Sequence, residues 1–359
     1  MGAEFLVFEE ALQNVAFGLV RIGSFVANAI LFGLPVVLLL VLRPALAAGS
    51  SSLAGDASEG SAAVRRRLAS RLEGFVQAAL WAAAVGAGLT IVLQAVVAPG
   101  IEARALDARS LAEVVETSFG RWFLLRFPLL AALAVLLVGR VRRSATAAVG
   151  ETEERGPNGL WWGAWAALGL ALLSTSSFSG HAAVSSPLAL ALLNDVLHLA
   201  SGATWFTGVV VLAAVLPKSL RALDASDRVA ILAPVVMRFS AVALVSISVV
   251  ALTGTFNSFF NVEAPDDLIG SGYGRLLTAK ILLFVGVLVF GGINHFYVRR
   301  RLENAREQGS IGARRLFRKT IAIELALALL LISVTGILVG SARTRPSALS
   351  GETPVLRTR

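Results

Sequence analysis

Long apolar runs alternate with short polar stretches along the whole chain, and these runs rather than any strand-like alternation set its pattern. A membrane-crossing helix needs about 20 consecutive apolar residues. Eight runs meet that length, at 17–42, 74–98, 121–139, 160–180, 189–216, 236–258, 274–297 and 317–340. The predicted fold is all-α, a polytopic membrane protein built as a bundle of about eight transmembrane helices with no soluble domain. Residues 1–16 are expected to form an extracytoplasmic N-terminal segment, 17–340 the eight-helix domain, and 341–359 an extracytoplasmic C-terminal tail. The stretch 47–62 (AAGSSSLAGDASEGSA) reads as a flexible linker, and 144–159 is similar. The opening residues carry Glu4, Glu9 and Glu10 instead of a basic region, so no secretion signal is read and the first helix is expected to be retained.

Composition agrees with the pattern. The chain has 359 residues, 56% of them hydrophobic and only 15% charged, more apolar material than one aqueous core can hide. Net charge is +9, from 32 basic and 23 acidic residues. In a soluble chain this would suggest nucleic acid; here the basic residues cluster between helices, which points to topology and anionic lipid headgroups. Arg43, Arg65, Arg66, Arg67 and Arg71 follow the first run, and Arg140, Arg142, Arg143 and Arg155 the third. Lys218, Arg221, Arg228 and Arg238 follow the fifth, and a block from Arg299 to Lys319 the seventh. The alternate loops are nearly free of Lys and Arg. The positive-inside rule then puts the basic loops in the cytoplasm and both termini outside, in a multi-pass membrane protein.

The supply of reactive side chains is small. With no Cys and only Met1 and Met237, thiolate and thioether metal sites are excluded. His181, His198 and His295 are the whole imidazole set. In the expected topology His181 lies at the outer mouth, and His198 lies roughly 12 Å below the start of its helix. Asp195 and His198, at i and i+3, share one helical face, and Gly202 continues it. A carboxylate inside the membrane costs roughly 2.5–3.5 kcal/mol and needs a partner or a wet cavity. Two imidazoles and a carboxylate reached from outside suit Cu(II) or Zn. From spacing alone the same residues read first as a packed polar network in which Asp195 orients His198, then as a metal site, and last as haem ligation by His181 and His198.

Other intramembrane charges are Arg21, Arg126, Lys280 and Glu324. Lys280 or Arg126 could pair with Asp195, while snorkelling accounts equally for Arg21 and Arg126. Asn294, His295 and Glu324 are the inner-half residues with enough polar atoms for a second, inner or coupling site, with Lys280 as a further member. His295 also reads as an interfacial residue beside Tyr297, and Trp205 as packing. No P-loop, phosphorylation motif or zincin signature is present, so an enzyme is not expected.

The run SGHAAVSS, followed by NDVLHLASGATWFTGVVVL, resembles the copper resistance D (CopD) family. So do MRFSAVALVSISVVALTGTFNS, YGRLLTAKILLF with a later Asn294, and FRKTIAIELALALLLISVTGILV. Upstream, LRP at 42–44 and WFLLRFPLL resemble the family's N-terminal half, so the likeness covers most of 17–346. The resemblance implies an inner-membrane protein that promotes copper uptake, with an extracytoplasmic CopC-type copper-binding partner. It carries over His181, Asp195 and His198 as the outer copper site, and Lys280 and Glu324 as further matching positions. Where the family more often has Trp-x-Gly-Gly, Thr207 replaces the first Gly, which puts close helix packing there in question. The lack of Met ligands favours Cu(II) over Cu(I). A membrane b-type haem protein and a non-transporting copper-delivery or assembly factor are the competing readings.

Overall fold

The structure, a computed structural model, describes residues 2–50, 57–97, 108–149, 159–180, 187–221, 223–259, 271–302 and 311–340. His181 and the tail 341–359 lie outside the described residues. Helix α1 (Gly2–Val37) passes through a π-helical turn (Leu38–Leu42) into a last stretch, Arg43–Ser50. Then come α2 (Ala57–Val97), the short α3 (Ala108–Glu116) and α4 (Ser118–Leu124), α5 (Arg126–Val149) and α6 (Gly159–Phe178). Helix α7 (Leu188–Val210) continues through a π turn (Val211–Val215) to Ser219. The chain closes with α8 (Ala225–Phe259), α9 (Gly272–Ile293, then a π turn Asn294–Val298) and α10 (Ile311–Gly340).

Seven helical stretches among the described residues are long and apolar enough to cross a membrane. The eighth expected run is present as α6, which is 20 residues long. Trp161, Trp162 and Trp165 stand at its start and Ser174, Thr175, Ser176 and Ser177 at its end. The fold is all-α and polytopic. Large apolar side chains face outward, Trp81 at 74% exposure and Leu252 at 73% among them, as a lipid-facing surface requires. The centre is formed by α1 and α7, each 67% buried along its most apolar stretch, whereas the corresponding figure for α9 is 11%.

The helices begin earlier than the apolar runs. Residues 57–62 and 144–149, expected as linker, are helical; α2 starts well before the expected 74, and α8 and α10 before 236 and 317. The apolar run reports only the hydrocarbon-crossing part, whereas Ala, Leu, Arg and Glu continue a helix into the headgroups at little cost. In α2 the extension also has packing to hold it: Val64, Leu68, Leu72 and Val76, spaced by four, are all buried in the main core.

Helix α3 was not expected. Its Leu111 and Val114, with Phe119 and Phe123, pack on Ile91 and Ala95 of α2 as a separate small cluster. Thr117 separates α3 from α4, its hydroxyl accepting from the Gly120 N–H at 3.0 Å. Gly120 allows this fold-back, since a Cβ there would strike the Val114 carbonyl.

At the opposite end, the basic loops converge. Arg140 pairs with Glu73 at 3.4 Å and lies 5.7 Å from the ring centres of Trp161 and Trp162. Arg43 lies 5.8 Å from the Trp162 ring. The end of α1, the start of α2, the end of α5 and the start of α6 therefore share one face of the bundle, as the alternating charge pattern requires.

Two contacts fix α1 against its neighbours. Pro35 has no N–H to give the Leu31 carbonyl one turn earlier, and Trp165 of α6 supplies the missing donor at 2.9 Å. Thr207 of α7 donates to the Ala29 carbonyl at 2.9 Å and is fully buried. Close packing at Thr207 is kept because the small residue sits on the partner helix: a Cβ on Gly33 would collide with Thr207 and with the Ala203 carbonyl.

Candidate metal centre

The α7–α8 pair is antiparallel, so the first half of α7 meets the second half of α8. Asn194 of α7 donates to the Thr253 carbonyl at 3.2 Å and to Asn257 Oδ1 at 2.7 Å. One turn further along α7, His198 Nδ1 lies 2.9 Å from Thr253 Oγ1. The Thr253 hydroxyl gives its single proton to the Val249 carbonyl at 2.6 Å, so toward His198 it accepts. Nδ1 is then the protonated nitrogen, with the Val250 carbonyl a further acceptor for the ring. In the neutral imidazole this places the lone pair on Nε2. Metal ligation and proton acceptance both need such a nitrogen.

Gly254 makes the room for this ring, since a Cβ there would stand 3.3 Å from His198 Cε1. Gly202, which continues the face of Asp195 and His198, meets only Val250 at ordinary contact distance, 3.9 Å. From α9, Lys280 interacts electrostatically with both Asp195 and His198. Asp195, His198 and Lys280 thus share one layer, as the reading of Lys280 as a partner for Asp195 expected. Arg126 does not join them. It is 4% exposed, donates to Thr175 Oγ1 at 2.8 Å and Ser176 Oγ at 2.9 Å, and stacks 3.8 Å from the Phe123 ring centre. Hydroxyls at the end of α6 hold it inside the bundle, so it does not snorkel.

A second polar layer lies toward the basic end. Glu324 of α10 is 2% exposed; its Oε1 accepts from Trp205 Nε1 at 3.1 Å and its Oε2 from Asn294 Nδ2 at 2.7 Å. His295 Nδ1 is 2.6 Å from Ser240 Oγ. Asn294, His295, Ser240 and Glu324 line one cavity of about 210 Å³, otherwise walled by apolar residues such as Phe239 and Phe317. Asn294, His295 and Glu324 are therefore brought together, and Lys280 is in the other layer. Trp205 is a hydrogen-bond donor to the site and not packing alone.

The layers are well separated. His198 bonds Thr253 and His295 bonds Ser240, both on α8, which at a rise of roughly 1.5 Å per residue places them about 20 Å apart along its axis. The two imidazoles cannot ligate one metal ion or one haem iron. Among the described residues no three His, Asp or Glu side chains converge as a metal cluster; His181, the third member expected of the outer set, lies outside them.

The family model described as Copper resistance protein D matches residues 233–338, and that described as Copper resistance protein D-like, N-terminal domain, matches residues 12–189. The first stretch holds Ser240, Thr253, Lys280, Asn294, His295 and Glu324, while Asp195, His198 and Trp205 fall between the two. The Copper transport protein CutJ of Bacillus subtilis (strain 168) is 31% identical over 186 residues, 52% of this chain and 32% of CutJ. The Copper resistance protein D of Pseudomonas syringae pv. tomato is 29% identical over 172 residues, 46% of this chain and 54% of that protein. The match thus spans about a third of one relative and about half of the other. No solved structure matches.

Proposed function

Because the chain belongs to the copper resistance D family, we propose that it carries copper across, or accepts copper within, the cytoplasmic membrane. The cargo enters at an outward-facing site formed by His198 and Asp195, with His181 as the third ligand. The observation that supports this most is the state of His198: Thr253 takes up Nδ1 and leaves Nε2 as a ligand atom, with Asp195 three residues earlier on the same helical face. CutJ, the similar Bacillus subtilis protein, is a copper transport protein by name, which agrees with this reading. Imidazole and carboxylate donors without sulfur favour Cu(II) over Cu(I). Lys280 balances Asp195 until a metal ion takes its place, which spares the layer an unpaired charge in the membrane.

The basic end faces the cytoplasm and both termini lie outside, so the outer layer meets a copper-binding donor of the CopC type. The protein acts as a conduit or acceptor, not as an enzyme. Copper uptake into proteoliposomes tests this. Wild type accumulates Cu2+ and His198→Ala does not. Uptake that is unchanged in His198→Ala overturns the outer-site reading, and wild type that binds copper yet passes none is a docking or assembly factor.

A further inference from the structure

The outer layer explains entry and leaves the Glu324 cavity unused. Glu324 is a carboxyl at 2% exposure within a membrane-spanning helix, where such a group is costly unless its partners need it. Both its oxygens already accept an N–H, which fixes the carboxyl in one orientation. The Asn294 amide spends its donor on Glu324, and its Oδ1 is buried with no hydrogen-bond partner among the described residues. A buried acceptor left empty is destabilising by about 1–3 kcal/mol, and a cation satisfies it. The third member, His295, has Nδ1 engaged by Ser240, so Nε2 is the nitrogen open to a ligand. All of these groups border the same 210 Å³ cavity, which has room for an ion with a water or two.

The local backbone explains how adjacent residues come to share it. Successive side chains on a regular helix point about 100° apart. Asn294 and His295 open a π-helical turn, Asn294–Val298, and such single turns re-aim side chains and mark functional positions.

We propose that Glu324, Asn294 through Oδ1, and His295 through Nε2 form a second cation site, an inner resting place for the same cargo about 20 Å from the outer one. This rests on the copper reading of the outer layer for the identity of the cargo. A carboxylate, an amide oxygen and an imidazole are a nitrogen and oxygen set that suits a divalent ion and not Cu(I). Met237, the one thioether within the bundle, does not border the cavity. The inner site therefore holds Cu2+ as such, and no reduction step is needed between the layers.

The test is Cu2+ binding to the purified full chain in detergent, with stoichiometry from equilibrium dialysis and ligand type from electron paramagnetic resonance. Wild type binds two Cu2+, Glu324→Gln binds one, His198→Ala binds one, and the double variant binds none. Glu324→Gln that still binds two overturns the inner site. His198→Ala that still binds two, while Glu324→Gln binds one, overturns the outer reading and leaves the inner site standing. Should Glu324→Gln fail to fold, Asn294→Ala decides the matter, because it spares the Trp205 bond to Glu324. It raises the dissociation constant of one Cu2+ by about tenfold or more, a loss of roughly 1.4 kcal/mol; an unchanged constant overturns the proposal. His295→Ala removes nitrogen coupling from that same Cu2+ signal only, and its persistence is equally decisive against it.

Discussion

Replacing Thr253 by Val removes one hydroxyl at nearly constant volume and isolates what orients His198. In the wild type the hydroxyl accepts from Nδ1 at 2.9 Å and passes its own proton to Val249. Without it, Nδ1 loses the acceptor that the structure gives it, and neither tautomer nor ring angle is held. Losing the group that orients a metal-bound imidazole typically weakens binding about 10- to 100-fold, or about 1.4 to 2.7 kcal/mol. Stability should fall by only about 1 kcal/mol, the worth of one hydrogen bond. Competitive Cu2+ titration of the detergent-solubilised protein reads the first quantity and thermal unfolding the second. Thr253→Ser keeps the hydroxyl and should bind within about twofold of wild type, well under the 1.4 kcal/mol that a tenfold change represents. If Thr253→Val also binds like wild type, the hydroxyl does not set the tautomer, and the account of His198 as a prepared ligand is wrong.

Other consequences are as direct. Trp165→Phe leaves the Leu31 carbonyl without its donor and should destabilise by about 1–3 kcal/mol; in a Pro35→Ala background, where the backbone N–H returns, thermal unfolding should show most of that loss gone. Gly33→Ala forces a methyl group into Thr207 and the Ala203 carbonyl, and should lower the unfolding temperature by the equivalent of about 1–3 kcal/mol. Cysteines placed at Ser58 and Arg306 of this Cys-free chain should react with an impermeant reagent only in opened cells, and reaction of either in intact cells would invert the orientation. Because ligation requires deprotonated imidazole and carboxylate groups, Cu2+ should leave as the solution is acidified, and the retained stoichiometry followed by dialysis should fall with pH.

The bundle was legible because a membrane span is a local property: about 20 apolar residues announce it without reference to any partner. The helix extensions were less so, since the apolar signal stops at Arg65–Arg67 and Arg71 although Val64, Leu68 and Leu72 continue the buried stripe at helical spacing. Within the site, Asp195 and His198 could be read from their spacing on one helix. Thr253, Ser240 and Gly254 could not, because each meets its imidazole across the α7–α8 or α8–α9 contact. Trp205 is the sharpest case. Alone on α7 it resembles any packed indole, and only the fold brings its N–H to Glu324, 119 residues away. Arg126 fails to snorkel for a similar reason, its hydroxyl partners lying 49 and 50 residues downstream.

The three π turns among the described residues separate structural necessity from function. Those at Leu38–Leu42 and Val211–Val215 each end two residues before a proline, Pro44 and Pro217. A proline lacks the N–H that an α-turn needs and crowds the carbonyl of the preceding turn, so widening the helix there relieves a local conflict. The third, Asn294–Val298, has no proline near it; the next one in the chain is Pro346. Backbone covalent chemistry therefore gives no reason for it. Its content does: Asn294 bonds Glu324 of α10 while His295 bonds Ser240 of α8, so consecutive residues of α9 serve two different neighbours. A widened turn changes where these two side chains point relative to the rest of α9. Restoring regularity by deleting one residue of this turn should keep α9 helical and leave its apolar surface in the membrane, yet part Asn294 from His295. The expected result is a folded protein by circular dichroism that has lost the inner Cu2+ and kept the outer one. Retention of both would show that the turn is incidental to the site.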